Sequence, residues 1–284
     1  MGNATSIIDQ GLIFSFVAMA VFLTSRVIRK DDLTVEGSFG LGGAVTAIML
    51  KSLMSPWLAL LASASIGALA GMCSGLLYTR LKMNHLMAGL VTTTASFSLG
   101  LAIASANTPV AAASTVFGKI SFLSTDLIEF LLLALLALAT LLVIRWVLGS
   151  EIGLLLRACG ENPELLLHFG KSSSLYYVLG FLLANAITGM AGSLFVQWSG
   201  FFSITGNIGT LVTGLASLML AELLTKSLHV TIIVAAIGYQ CIFAATLMLG
   251  VAPVWNNLVK AVVMVALVAL STIFRSRQKG GHHA

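Results

Sequence analysis

Residues 150–174, SEIGLLLRACGENPELLLHFGKSSS, form a polar island between two hydrophobic runs. Ser150 before Glu151 has the pattern of a helix N-cap with an acid in the first turn, where a carboxylate meets the positive end of the helix dipole. Asn162-Pro163-Glu164 repeats the device, with proline at a helical position whose N–H has no partner to lose. Gly170 supplies a stop, because glycine takes the left-handed conformation that ends a helix. The spacing predicts two short helices bent at Cys159-Gly160, with leucines at 154–156 and 165–167 able to pack on a surface. Such an element is either a surface hairpin folded back on its own bundle or a docking element for a soluble partner.

The runs on either side decide the class. Of 284 residues, 58% are hydrophobic and 9% charged, against roughly 25% charged in soluble domains. Several apolar runs reach the roughly 20 residues that a bilayer-crossing helix needs. The ~10-residue alternation of a transmembrane barrel is absent. The expected fold is therefore all-α, a polytopic transmembrane bundle of about nine spans near 7–24, 40–50, 56–77, 86–104, 126–147, 175–195, 209–224, 230–250 and 257–274. Residues 1–284 read as one transmembrane domain, with the polar segment at 150–174 and a short tail at 275–284. Residues 1–11 carry no positive charge ahead of the first apolar core, unlike a signal peptide, so that span reads as an anchor with the N-terminus outside.

Charge then orients the bundle. Arg26, Arg29, Lys30, Arg80, Lys82, Arg145, Arg157, Lys171, Lys226, Arg275, Arg277 and Lys279 fall on one side, and Lys51, Lys119 and Lys260 toward the other. The positive-inside rule places the first set, the polar island and the C-terminus in the cytoplasm. The net charge of +5 thus follows membrane topology and does not call for nucleic acid. Lys260, beside Trp255, is expected to snorkel to the interface, and Glu222 reads as a boundary residue. Cys73, Cys159 and Cys241 have no metal or redox spacing and read as buried small hydrophobes.

Arg157-Ala158-Cys159-Gly160-Glu161-Asn162-Pro163-Glu164 resembles the R-A-x-G-x-N-P segment of permease subunits in ATP-binding-cassette importers of the branched-chain amino acid and ribose type. Thr34-Val35-Glu36-Gly37-Ser38-Phe39 is similar to the start of the second helix in a subgroup linked to aromatic or other hydrophobic amino acids. Further likeness runs from Leu183-Ala184-Asn185 through Gly192-Ser193 and Gln197 to Gly209. The resemblance implies that Arg157, Gly160, Glu161, Asn162, Pro163 and Glu164 belong to a coupling helix seated in a groove of a separate ATPase subunit. It also implies a second permease copy, an extracytoplasmic solute-binding protein and a bacterial inner membrane. Leu165-Leu166-Leu167-His168-Phe169 departs from the family's alanine-rich helix with a bulkier apolar face.

Two glycine-interrupted segments point to a solute path. Gly37-Ser38-Phe39-Gly40 opens the second span and Gly206-Asn207-Ile208-Gly209 the seventh, in opposite directions, as expected of an inverted repeat. Ser38, Phe39, Gly40, Thr46, Asn185, Asn207, Gly209 and Thr213 are the candidate pathway residues. Gly170-Lys171-Ser172 resembles the end of a P-loop, but Leu165 stands where that motif needs glycine. No cofactor is expected on this chain, and ATP belongs to the partner. No acid is expected near a span centre, which argues against a proton- or sodium-driven carrier. No HExxH or G-x-S-x-G motif supports an intramembrane enzyme. The resemblance implies import of an aromatic or branched-chain amino acid, with a sugar or nucleoside permease, or an ion-coupled secondary transporter, as the alternatives.

Overall fold

The computed structural model describes residues 4–118, 125–225, 228–248 and 255–280. Helix dominates them, because a segment in hydrocarbon must satisfy its backbone N–H and C=O groups internally. In chain order the helices are α1 (Ala4–Phe22), α2 (Thr34–Lys51), α3 (Pro56–Arg80), α4 (His85–Ile103), α5 (Thr125–Gly149), α6 (Glu151–Glu161), α7 (Pro163–His168), α8 (Ser173–Ser199), α9 (Thr210–Leu224), α10 (Leu228–Met248) and α11 (Asn256–Gly280). Five stretches, Thr5–Val27, Pro56–Arg80, His85–Ile103, Leu127–Gly149 and Ser173–Ser199, are long and apolar enough to cross a membrane. Thr210–Leu224, Val230–Thr246 and Asn256–Ser271 are shorter apolar helices.

Among the described residues, two short strands interrupt the helices. β1 (Asn107–Pro109) pairs antiparallel with β2 (Phe201–Ser203), Thr108 opposite Phe202. Gly200, at φ +75°, closes α8 and turns the chain into β2. The buried Phe202 then packs beside Val196 and over Gly43 of α2.

The centre of the bundle is α2, α3 and α8, joined backbone to backbone. A Cβ on Gly67 or Gly71 of α3 would stand 2.3 Å from the carbonyl oxygen of Asn185 or Phe181, respectively. A Cβ on Gly42 of α2 would stand 2.3 Å from the carbonyl oxygen of Gly189, and one on Gly192 would come 2.0 Å from that of Phe39. Between helices in lipid the hydrophobic effect gives no drive, so close packing of small residues holds them instead. Gly67, Gly71 and Gly75 form the small-residue face of α3 that this packing uses. Ala64 and Ala70 instead line apolar hollows on either side.

α2 does not start at the end of the bundle. After α1 the chain makes a π-turn (Leu23–Val27), and residues 28–33 fold back inward. Asp32 meets Asn185, roughly 18 Å along α8 at 1.5 Å per residue. The expectation that no acid falls near a span centre is therefore corrected. Asp32 is 2% exposed, Glu36 lies in the same inner turn, and Asp9 of α1 is 1% exposed. Asp32 and Glu36 are internal because the α1–α2 connection re-enters the bundle, whereas Asp9 is buried on α1 itself.

α9 runs with α1: Gly214 packs on Val17 and Val21, and an ion pair joins Arg26 to Glu222 at the shared end. Phe14 of α1 stacks on Phe39 of α2. α2 and α9 thus run in opposite directions, and their N-terminal ends meet inside the bundle at Glu36 and Gly209. Cys159 is buried, but Cys73 and Cys241 are exposed, contrary to expectation. Cys73 lines the same apolar hollow as Ala70, and Cys241 lies on an exposed face of α10. Lys119, Lys226, Gly250, His282 and His283 lie outside the described residues.

Candidate functional site

The polar island folds as two capped helices. The Ser150 hydroxyl accepts the Gly153 N–H at 3.5 Å, and Asn162 Oδ1 accepts that of Glu164 at 3.1 Å. Pro163 opens α7, and Gly170 ends it at φ +68°, with the Lys171 N–H bonded to the Leu166 carbonyl at 2.9 Å. The bend, however, lies at Asn162 (φ −150°, ψ 94°), not at Cys159-Gly160. Gly160 stays helical and serves contact: a Cβ there would stand 2.1 Å from the Val27 carbonyl oxygen.

This segment has two apolar faces. Gly153, Leu156, Cys159 and Leu166 are buried against the bundle. Burial pushes the Cys159 thiol up to about 11, so it packs as an inert hydrophobe. Ile152, Leu154, Leu165 and Phe169 point outward, Phe169 at 69% exposure. Arg157, Glu161, Asn162, Pro163 and Glu164 are also exposed. Glu161 accepts a hydrogen bond from Arg29 at 3.1 Å, which ties α6 to the end of α1.

Inside the bundle the candidate pathway residues fall into two groups. The first is a closed seam between α2 and α8. Asp32 Oδ1 accepts the Thr34 N–H at 2.9 Å, capping α2, and Oδ2 accepts Asn185 Nδ2 at 2.6 Å. The Ser38 hydroxyl donates to Asn185 Oδ1 at 2.7 Å. Farther along, the Thr46 hydroxyl lies 2.7 Å from those of Ser63 and Ser193. Gln197 continues the line, accepting the Val116 N–H at 2.9 Å. Phe39 is in the core, 1% exposed, its ring 6.1 Å from that of Phe14. Thr93 of α4 adds a bond to the Leu33 carbonyl at 2.7 Å, whereas Thr92, Thr94 and Ser98 bond back to their own helix as their spacing predicts.

The second group surrounds the start of α9. Glu36 Oε1 accepts the Gly209 N–H at 2.6 Å, so a carboxylate from α2 caps α9. Asn207 lies over Gly40, where a Cβ would come 3.0 Å from Nδ2. Asn207 is 3% exposed, and its Nδ2 has no hydrogen-bond partner. The buried Thr213 hydroxyl donates to the Gly209 carbonyl at 3.1 Å. Lys260 of α11 does not snorkel outward as expected. Its stem runs beside Gly209, and its ammonium sits 5.6 Å from the Phe243 ring centre, within electrostatic reach of Glu36. It turns inward because that carboxylate and the aromatic face are inside.

Sequence reasoning missed Asp32, Glu36 and Lys260 as parts of these groups. Glu36 carried a usable signal, standing inside a glycine-rich opening to a span. An apolar hollow of about 360 Å³ between α3, α5 and α8 has Thr140 as its one polar lining side chain and shares no residue with either group.

The chain is 28% identical to a tyrosine transport system permease protein of Clostridioides difficile, over 98% of this chain and 95% of that protein. It is 27% identical to a nucleoside ABC transporter permease protein of Lactococcus lactis, over 67% and 61%. To a galactofuranose transporter permease protein of Escherichia coli it is 24% identical, over 88% and 74%. No solved structure matches the chain. Residues 3–268 match the model of the branched-chain amino acid transport system permease component, and the chain, a multi-pass membrane protein with buried polar seams and a capped two-helix projection, belongs to that family.

Proposed function

We propose that this chain is the membrane-spanning permease subunit of an ATP-binding-cassette importer, acting as one domain and energised by ATP hydrolysis on a separate subunit. The observation that carries this reading is the α6–α7 projection in a chain of this family. Its inward face fixes it to the bundle, while Ile152, Leu154, Leu165 and Phe169 face outward among Arg157, Glu161 and Glu164. A capped element with an apolar centre and a charged rim suits a groove in a soluble ATPase. The C-terminus and this segment lie in the cytoplasm of a bacterial cell and the N-terminus outside. The working unit is two permease copies, two ATPases and an extracytoplasmic binding protein.

The solute is an amino acid, aromatic or branched-chain. The tyrosine permease supports this, being similar along nearly the whole chain. A nucleoside or sugar is the second reading, favoured by the other two permeases. Purified alone, the chain does not hydrolyse ATP, and reconstituted with its ATPase and binding protein it couples hydrolysis to uptake. Robust turnover by this polypeptide alone would refute the assignment. Titration of the binding protein with amino acids, nucleosides and sugars ranks the solutes.

A further inference from the structure

Four polar side chains converge where α2 and α9 meet. Glu36 lies on α2, Asn207 just ahead of α9, and Asn257 and Lys260 on α11, with Asn257 Oδ1 3.4 Å from where a Cβ on Gly209 would stand. The two charges lie within electrostatic reach of each other, yet no ion pair within 4.0 Å joins them among the described residues. Glycine stands at both backbone positions that border them. A Cβ on Gly209 would come 3.5 Å from Lys260 Cδ, and one on Gly40 would meet Asn207 Nδ2 at 3.0 Å. Gly209 also needs its bare Cα for φ +84°. The buried Asn207 amide still holds N–H donors without an acceptor, an arrangement that is costly unless a ligand completes it.

We propose that this junction holds the zwitterionic head of an α-amino acid, its ammonium on Glu36 and its carboxylate between Lys260 and Asn207 Nδ2. The assignment rests on the transport reading above and names the substrate class that the path recognises. One carboxylate and one ammonium of the protein, near each other but not closed into a pair, match the adjacent opposite charges of such a head. A neutral sugar or nucleoside would leave both charges without counterparts. Glu36 keeps its bond to the Gly209 N–H, so α9 remains capped when its carboxylate also receives the ammonium. Phe97, whose ring reaches Gly40, and the exposed Ile208 border the site and suit an apolar side chain.

The test uses the full chain in lipid nanodiscs, with saturation-transfer NMR to follow weak binding. The probes are L-tyrosine, tyramine, 3-(4-hydroxyphenyl)propionate and adenosine. Tyrosine is expected to bind about ten-fold or more tighter than tyramine, which lacks the carboxylate, or the propionate, which lacks the ammonium. Glu36→Gln keeps an acceptor for Gly209 but should erase the preference over the propionate. Lys260→Met should erase the preference over tyramine. Glu36→Asp and Lys260→Arg, which keep the charges, should restore each preference, separating recognition from mere loss of fold. The proposal is overturned by no saturable tyrosine signal, by adenosine competing equally, or by unchanged preferences in both variants. Uptake by the complete importer separates the two readings. Wild-type uptake and selectivity in both charge-removing variants would sink this site and leave the transport function standing. A complete wild-type complex that moves no solute would sink the transport function itself.

Discussion

The two polar faces of α2 are built in opposite ways. Toward α8 and α3, Ser38 and Thr46 find partners in Asn185, Ser193 and Ser63, and the Asp32 cap is bonded on both oxygens. Toward α9 and α11, Glu36 carries one bond to a backbone amide, Asn207 Nδ2 has no partner, and Lys260 stands near Glu36 without closing on it. Buried polar groups that are all satisfied stiffen an interface, whereas partly satisfied ones mark where something else binds or moves. One helix therefore presents a seam that locks and a face that stays receptive. Glycine serves both, for backbone contact on the first face and for access to side chains on the second.

The largest expected effect tests the seam. Gly42→Val would drive a side chain into the Gly189 carbonyl, 2.3 Å from its Cβ, at a cost of about 3 kcal/mol or more, because backbone on a packed helix cannot step aside. Gly40→Ala meets side chains alone, the Asn207 amide at 3.0 Å and the Phe97 ring at 3.4 Å, and should cost less than about 1 kcal/mol, since a side chain can turn. Thermal unfolding of the two variants in the same detergent checks the contrast. Equal losses would mean that the faces are not distinct.

Asn185→Ala comes next. It removes the partner of both Asp32 and Ser38 and leaves a carboxylate short of a donor inside the bundle. Hydrogen bonds to charged groups support a loss of about 1.5–3 kcal/mol. A double-mutant cycle with Asp32→Ala should show strong coupling, and additive losses would show that the two side chains act independently.

Much of this was legible in the chain and some was not, for identifiable reasons. The caps at Ser150 and Asn162, the stop at Gly170 and the helical class follow from local chemistry, and the structure keeps each of them. Gly160 was misread because a glycine beside a polar turn looks like a bend, while its contact with Val27 is between residues distant in sequence. Asp32 and Lys260 were misplaced because linear position does not reveal a connection that folds back inside or a lysine that turns inward. Burial of an acid depends on the path of its backbone, and hydropathy averages over that path.

A smaller effect concerns the projection. Asn162→Ala removes the α7 cap, worth about 0.5–2 kcal/mol of local helix stability, and should leave membrane insertion intact. In the reconstituted importer it should raise ATP consumed per solute moved. Gly160→Val is not a substitute, because it would strike the Val27 backbone and disturb the bundle as well. Normal coupling in the Asn162 variant would make the segment a connector and remove it from the mechanism.

The smallest effect separates the projection from the buried seam by pH. Glu151 and Lys171 pair at 2.5 Å across the ends of the segment, on the surface. Hydrogen bonding to Lys171 holds the Glu151 carboxyl below its ordinary value, and hydrogen bonding to Glu151 holds the Lys171 ammonium above its own. For a depressed acid the contribution is present above its unfolded pKa and disappears as pH falls through the folded one. For a raised base it is present below the unfolded pKa and disappears as pH rises through the folded one. The pair should therefore give flat protection of α6–α7 amides from about pH 5 to 10, with shallow losses outside that window. Salt should weaken it, since exposed pairs are screened. Hydrogen exchange of the segment as a function of pH reads this directly, and Glu151→Gln should remove the acid edge while leaving α8 amides near Asn185 unchanged. Identical profiles in the wild type and the Glu151 variant would show that the pair adds nothing to the protection of the segment.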